Sequence, residues 1–100
     1  MKINKKAVKT DWFEYNETVK FNLKPFPFSS IKVTDVDASL WEQFKFCIID
    51  WKGLEDDDGK KLECDEENKK FIFDYVPELR EFVFQSVRKY SEKIAGEIKN

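Results

Sequence analysis

LWEQFKFCIIDWKGLEDDDGKKLEC, residues 40–64, joins an apolar half to an acidic turn marked by glycine. Leu40, Trp41, Phe44, Cys47, Ile48 and Trp51 follow helical spacing. At about 100° per residue they fill a stripe roughly 120° wide, the mark of a core-facing helix. The spacing predicts a helix over 37–52, with Asp35 or Asp37 as its N-cap. Lys52-Gly53 ends it, with Gly53 suited to the left-handed position after the last turn. Phe46 and Ile49 fall on the opposite side, beside Glu42. A helix apolar on two sides is either sandwiched, here with a hairpin over its second side, or offers a patch to a partner.

The acidic half reads LEDDDGKKL, with Asp58-Gly59 as the tight-turn pair. A calcium loop needs Asp at position 1, Gly at 6 and a bidentate Glu at 12. With Gly59 at position 6, Leu54 stands at 1 and Asp65 at 12, and Lys60 and Lys61 bring positive charge where ligands should converge. Asp56, Asp57 and Asp58 therefore read as a solvated turn.

Upstream, Val19, Phe21 and Leu23 alternate with Lys20, Asn22 and Lys24, a period of two with one face buried. Trp12, Phe13 and Tyr15 are aromatic strand formers. Asn16 and Glu17 lie between the runs, which predicts a β-hairpin over 8–24, Val8–Tyr15 against Thr18–Lys24. A two-residue loop pairs Trp12 with Phe21. One more loop residue pairs Phe13 with Phe21 and Tyr15 with Val19, and exchanges the faces. Asn16-Glu17 is not the Asn-Gly of a tight turn, which favours the longer loop. Residues 1–6 are polar and basic and read as frayed. Pro25 and Pro27 end the hairpin and lay Phe26 and Phe28 across the fold. Ile31 and Val33 alternate enough for a short third strand.

Downstream, Asp65 reads as the N-cap of a helix over 65–76, with Glu66 and Glu67 on the positive end of its dipole. Phe71, Ile72, Tyr75 and Val76 make its apolar face, and Phe73 lies off it. Pro77 opens a last helix over 77–97. Its stripe, Leu79, Val83, Val87, Tyr90, Ile94 and Ile98, is narrow and continuous, with Phe82 and Phe84 on its flanks. It is longer than a core of this size requires. Its C-terminal half, Tyr90, Ile94 and Ile98, joins Phe46 and Ile49 as a candidate partner-binding surface.

The predicted fold class is α+β: an N-terminal hairpin, with a short third strand, then three α-helices packed as a small helical domain. One hundred residues fit one domain. Ten Phe, three Trp and three Tyr supply its core, and only three Gly and three Pro argue against a low-complexity chain. The net charge of −2 leaves no nucleic-acid footprint and no polybasic membrane signal. No apolar run is long enough for a transmembrane helix, and MKINKKAVKTD lacks the apolar core of a signal peptide. Cys47 and Cys64 read as free thiols of a reducing compartment.

Histidine is absent, which removes Ser-His-Asp and Cys-His chemistry and the commonest metal ligand. Carboxylates such as Asp50, Glu55 and Asp74 could carry acid/base work only where burial or a neighbour separates their pKa values. Here they flank surface turns. No catalytic, metal or cofactor site is predicted.

The order of features is distinctive. An aromatic hairpin precedes W-x-x-F-x-x-C-x-x-x-W-x-G, written by Trp41, Phe44, Cys47, Trp51 and Gly53. An acidic turn at Asp58-Gly59, a helix capped by Asp65 and a break at Pro77 follow. This order, over roughly Trp41 to Tyr90, resembles the tail assembly chaperones of tailed bacteriophages. The resemblance implies a non-enzymatic protein of the host cytoplasm, encoded by a phage or prophage. It would bind the tape measure protein or another tail component during virion assembly. The signature residues would then be core and cap positions rather than a binding code. The family is known mainly from helical members, and the hairpin departs from that pattern. The alternative is a structural tail or head–tail component that forms homo-oligomeric rings.

Overall fold

A computed structural model describes residues 1–26 and 36–98, with the backbone alone for residues 36–38. Strands β1 (Asp11–Glu14) and β2 (Lys20–Leu23) form the hairpin. Helix α1 (Val36–Cys47) runs straight into strand β3 (Ile48–Lys52). Helices α2 (Glu66–Tyr75) and α3 (Pro77–Ile98) complete the chain. The three strands form one antiparallel sheet in the order β1-β2-β3, and the chain is a small α+β fold. Among the described residues, no helix is long and apolar enough to cross a membrane.

The hairpin takes the longer-loop register. Phe13 stands opposite Phe21, and the Tyr15 N–H donates to the Val19 carbonyl at 2.9 Å. The Asn16 side chain shapes the loop, accepting the N–H of Thr18 at 2.8 Å and of Val19 at 2.7 Å. That carboxamide does locally what Asn-Gly backbone geometry does in a tighter turn.

The helix predicted over 37–52 ends at Cys47, and its last five residues are strand. Asp37 lies inside the helix, and Asp35 lies outside the described residues. Across β2 and β3, Asn22 faces Asp50 and Leu23 faces Ile48, so Ile49 is an extra residue in a β-bulge. The bulge explains the misreading. Cys47, Ile48 and Trp51 share a face at helical spacing, and a strand with one extra residue brings Ile48 and Trp51 to one face as well. The β-branched pair Ile48-Ile49 followed by an aromatic tips the choice to strand. The third strand of the sheet is therefore β3. The strand expected at Ile31 and Val33 lies outside the described residues.

Gly53 has φ +84, in the left-handed region as predicted, yet it closes β3 and not a helix. A Cβ there would collide with the Thr18 carbonyl. Glycine thus lets β3 leave the sheet directly under the hairpin loop.

The core lies between the sheet and the helices. Phe21, Leu23, Phe44, Trp51 and Val83 are fully enclosed. α3 lies along the hairpin: Phe13 meets Tyr90 edge-on at 5.1 Å, Tyr15 meets Phe82 at 5.3 Å, and Phe21 meets Phe82 at 6.0 Å. A second aromatic cluster joins the helices, with Phe73 at 5.4 Å from Phe44, 5.6 Å from Trp41 and 6.5 Å from Phe84. Such edge-on and tilted pairs each contribute about 0.5–1.5 kcal/mol beyond area burial. This cluster turns α2 from its predicted face. Ile72, Phe73 and Val76 pack inward, while Phe71 and Tyr75 stand in solvent against each other.

The starts of α2 and α3 follow the sequence. Asp65 accepts the Asn68 N–H at 2.8 Å, and Pro77 is the first residue of α3. The indole N–H of Trp51 donates to the Leu62 carbonyl at 2.8 Å and ties the acidic turn to the core. Lys69 reaches from α2 to the Lys45 and Ile48 carbonyls, at 3.2 and 2.8 Å, where α1 passes into β3.

Candidate partner-binding surface

The N-terminal arm, predicted to fray, is docked. A short 3₁₀ turn, Lys5–Ala7, is capped by Asn4, whose side chain accepts the Lys6 N–H at 3.1 Å. The Asn4 N–H donates to the Ile98 carbonyl at 3.0 Å, and Ala7 is buried. The Tyr90 hydroxyl donates to the Lys9 carbonyl at 2.7 Å. The arm thus lies along the C-terminal half of α3. That corrects one candidate for partner binding, Tyr90, which is 4% exposed and covered by its own chain; Ile94, 2% exposed, keeps only an edge on the groove described next. The length of the α3 stripe, which exceeds what sheet and helices alone can cover, is matched to this arm.

Phe46 is 38% exposed. Phe26, three residues past the end of β2, meets it edge-on, with ring centroids 5.7 Å apart. Between the arm, Phe26, Phe46 and the end of α3 lies an open groove of about 400 Å³, walled by Val8, Pro25, Ile94 and Ile98 as well. The fold therefore brings Phe46, Ile94 and Ile98 to one place. Ile49 and Tyr90 do not line it. Ile49 projects from the β3 bulge, 42% exposed.

A larger groove of about 810 Å³ adjoins the first, sharing Phe26, Ser91 and Ala95. Leu40, Phe84 and Val87 make its apolar wall, and Arg80, Arg88, Glu81 and Glu92 give it charge of both signs. A third apolar feature is the Phe71–Tyr75 pair on α2, 57% and 71% exposed. Val8, Pro25 and Phe26 escaped the sequence reading as wall residues. Pro25 and Phe26 had one signal, an aromatic set beside a proline, and Val8 had none.

The remaining candidates resolve into structure. Trp41 stacks on Phe44 at 6.5 Å, with the Lys70 and Lys45 ammonium groups 5.1 and 5.6 Å from its ring centre. Cys47 and Cys64 are free thiols. Burial pushes the Cys47 thiol up to about 12 against the opposing charge of Lys24, so it is a poor nucleophile near neutral pH. Burial also raises Cys64, partly offset by Lys69. Asp56, Asp57 and Asp58 gather their carboxylates within 4.8 Å of one another. Asp56 closes that turn, accepting the N–H of Asp58 and of Lys60 at 2.9 Å each, and Gly59 follows with φ +81. Asp50 and Asp74 are likewise engaged, with the Trp51 N–H at 2.8 Å and Lys70 at 3.1 Å, and Glu55 is exposed.

Comparison of the chain with protein-family models, with curated proteins and with solved structures found no match.

Proposed function

We propose that this chain is a non-enzymatic tail assembly chaperone of a phage or prophage. In this reading it works in the host cytoplasm and binds the tape measure protein or another tail component before the tail is built. The order of signature residues from Trp41 to Pro77 supports the reading. So does the absence of histidine, which narrows the routes to catalysis.

The observation that carries it is the large apolar side chain left in solvent on firmly packed elements. Phe46, Ile49, Phe71 and Tyr75 are all more than a third exposed, and Phe46, Ile49 and Phe71 each adjoin a buried residue, Cys47, Ile48 and Ile72. Phe46 with Phe26 and Phe71 with Tyr75 make apolar surface that is paired rather than scattered, the kind suited to docking apolar partners.

Co-expression with a tape measure protein tests the reading. A soluble complex that survives purification, with tape measure solubility raised, is the expected result. No complex and unchanged solubility would discard it. Mass spectrometry of purified virions separates a chaperone, absent from them, from a ring-forming structural component, present in them.

A further inference from the structure

The groove beside Phe46 carries charge of one sign. Lys9 and Lys24 are the charged residues along it, and no acidic side chain lines it among the described residues. The neighbouring groove, by contrast, mixes two arginines with two glutamates. Neither Lys9 nor Lys24 makes an ion pair among the described residues. Lys24 instead holds its ammonium group 3.9 Å from the centre of the Phe46 ring, at the edge of the apolar wall. The arm that forms one bank adds Lys2, Lys5 and Lys6, and residues 1–10 contain no Asp or Glu. An apolar trough whose rim cations make no ion pair among the described residues selects a ligand that is apolar and anionic together.

We propose that this groove is the docking site for an apolar segment of a partner protein that carries carboxylates beside its apolar residues. Two or three anchors of such a segment enter between Val8, Phe46 and Ile98, and its carboxylates meet Lys9 and Lys24. At about 400 Å³ the site is small and open, which suits a few anchors of a longer helix laid across it. The site deepens the chaperone reading and rests on it for the kind of partner.

Two synthetic helical peptides of about twenty residues test it. They share one Leu/Phe face and differ only at the positions flanking that face, Glu in one and Gln in the other. Each is titrated into the full chain while backbone amide shifts are followed by NMR. The Glu peptide should bind about tenfold more tightly, the worth of two rim ion pairs. Shifts should centre on Val8, Phe46, Ala95 and Ile98. The preference should vanish in the Lys9→Gln/Lys24→Gln variant, whose unchanged amide spectrum elsewhere reports an intact fold. Equal affinities, binding by neither peptide, or shifts centred on Phe71 and Tyr75 would each overturn the site. Co-expression reports on the chaperone reading separately. A chain that solubilises a tape measure protein without shifts in this groove keeps that reading and loses this site. One that binds the Glu peptide but no tail component does the reverse.

Discussion

The Asp50 carboxylate accepts the backbone N–H of Trp51 at 2.8 Å. Asp11 does the same for Trp12, also at 2.8 Å. β1 and β3 are the two edges of the sheet. The ladder alternates, and Phe13 and Asp50 pair toward β2, so the Trp12 and Trp51 N–H groups point away from it. Each edge thus has an outward donor closed by the side chain just before it. Unpaired edge donors invite pairing with another chain.

The first prediction follows from that pair of contacts. Asp11→Ala/Asp50→Ala frees both donors. Folding stability should fall by only about 1 kcal/mol for each lost bond. Aggregation should rise far more, read as light scattering and thioflavin fluorescence over time. Asp→Asn at both sites keeps an acceptor and should stay close to the parent chain. Equal aggregation of the two variants would refute the role.

The glycines should separate cleanly in urea melts. Gly53→Ala meets both a left-handed backbone and the Thr18 carbonyl, and should cost more than about 2 kcal/mol. Gly59→Ala, at φ +81, would meet only the Glu55 carboxylate in ordinary contact at 3.9 Å and should cost about 1 kcal/mol. Gly96→Ala, inside α3 with nothing nearby, should stabilise by about 0.5–1 kcal/mol.

Lys69 holds the junction of α1 and β3 through two carbonyls. Lys69→Met keeps the apolar stem and removes the donor. Stability should fall by about 2 kcal/mol, as for hydrogen bonds from a charged group. Amide exchange should quicken first around Cys47 and Ile48. Loss confined to the α2 amides would argue against the junction role.

Alkaline pH should unfold the chain through its buried acids. Cys47 is raised from an ordinary 9.0 to about 12 by burial. The unfolded thiol therefore ionises first, so stability is intact below pH 9.0 and is lost as pH climbs toward about 12. Tyr90 acts in the same direction above its ordinary 10.0, raised by burial and then by Asp11 and Glu97. Cys47→Ala should flatten the fall between those limits. An unchanged profile would show that Cys47 does not set it.

The sequence made some of this legible. Period-two alternation at Val19–Leu23 and the poor turn chemistry of Asn16-Glu17 led to the observed hairpin register. The α3 stripe lies buried as spaced, with Ile98 half-covered at its end. Three things were hidden, each for a physical reason. Ile48 and Trp51 share a face in a helix and in a bulged strand alike, so periodicity could not tell α1 from β3. The inward face of α2 is chosen by Trp41, Phe44 and Phe84, residues distant along the chain. The arm docks through backbone groups and the Tyr90 hydroxyl, which leave no mark in composition. Of the five candidate residues it covers Tyr90, while Phe46, Ile94 and Ile98 line the groove beside Phe46.

The seamless passage from α1 into β3 has a mechanical consequence. Phe46 and Trp51 stand on one continuous run of backbone, with no loop between Cys47 and Ile48 to act as a swivel. Helix α1 cannot roll about its own axis without wringing the strand that Trp51 anchors. A load placed on the Phe46 ring is therefore borne by the sheet, as a spoke passes its load to the hub.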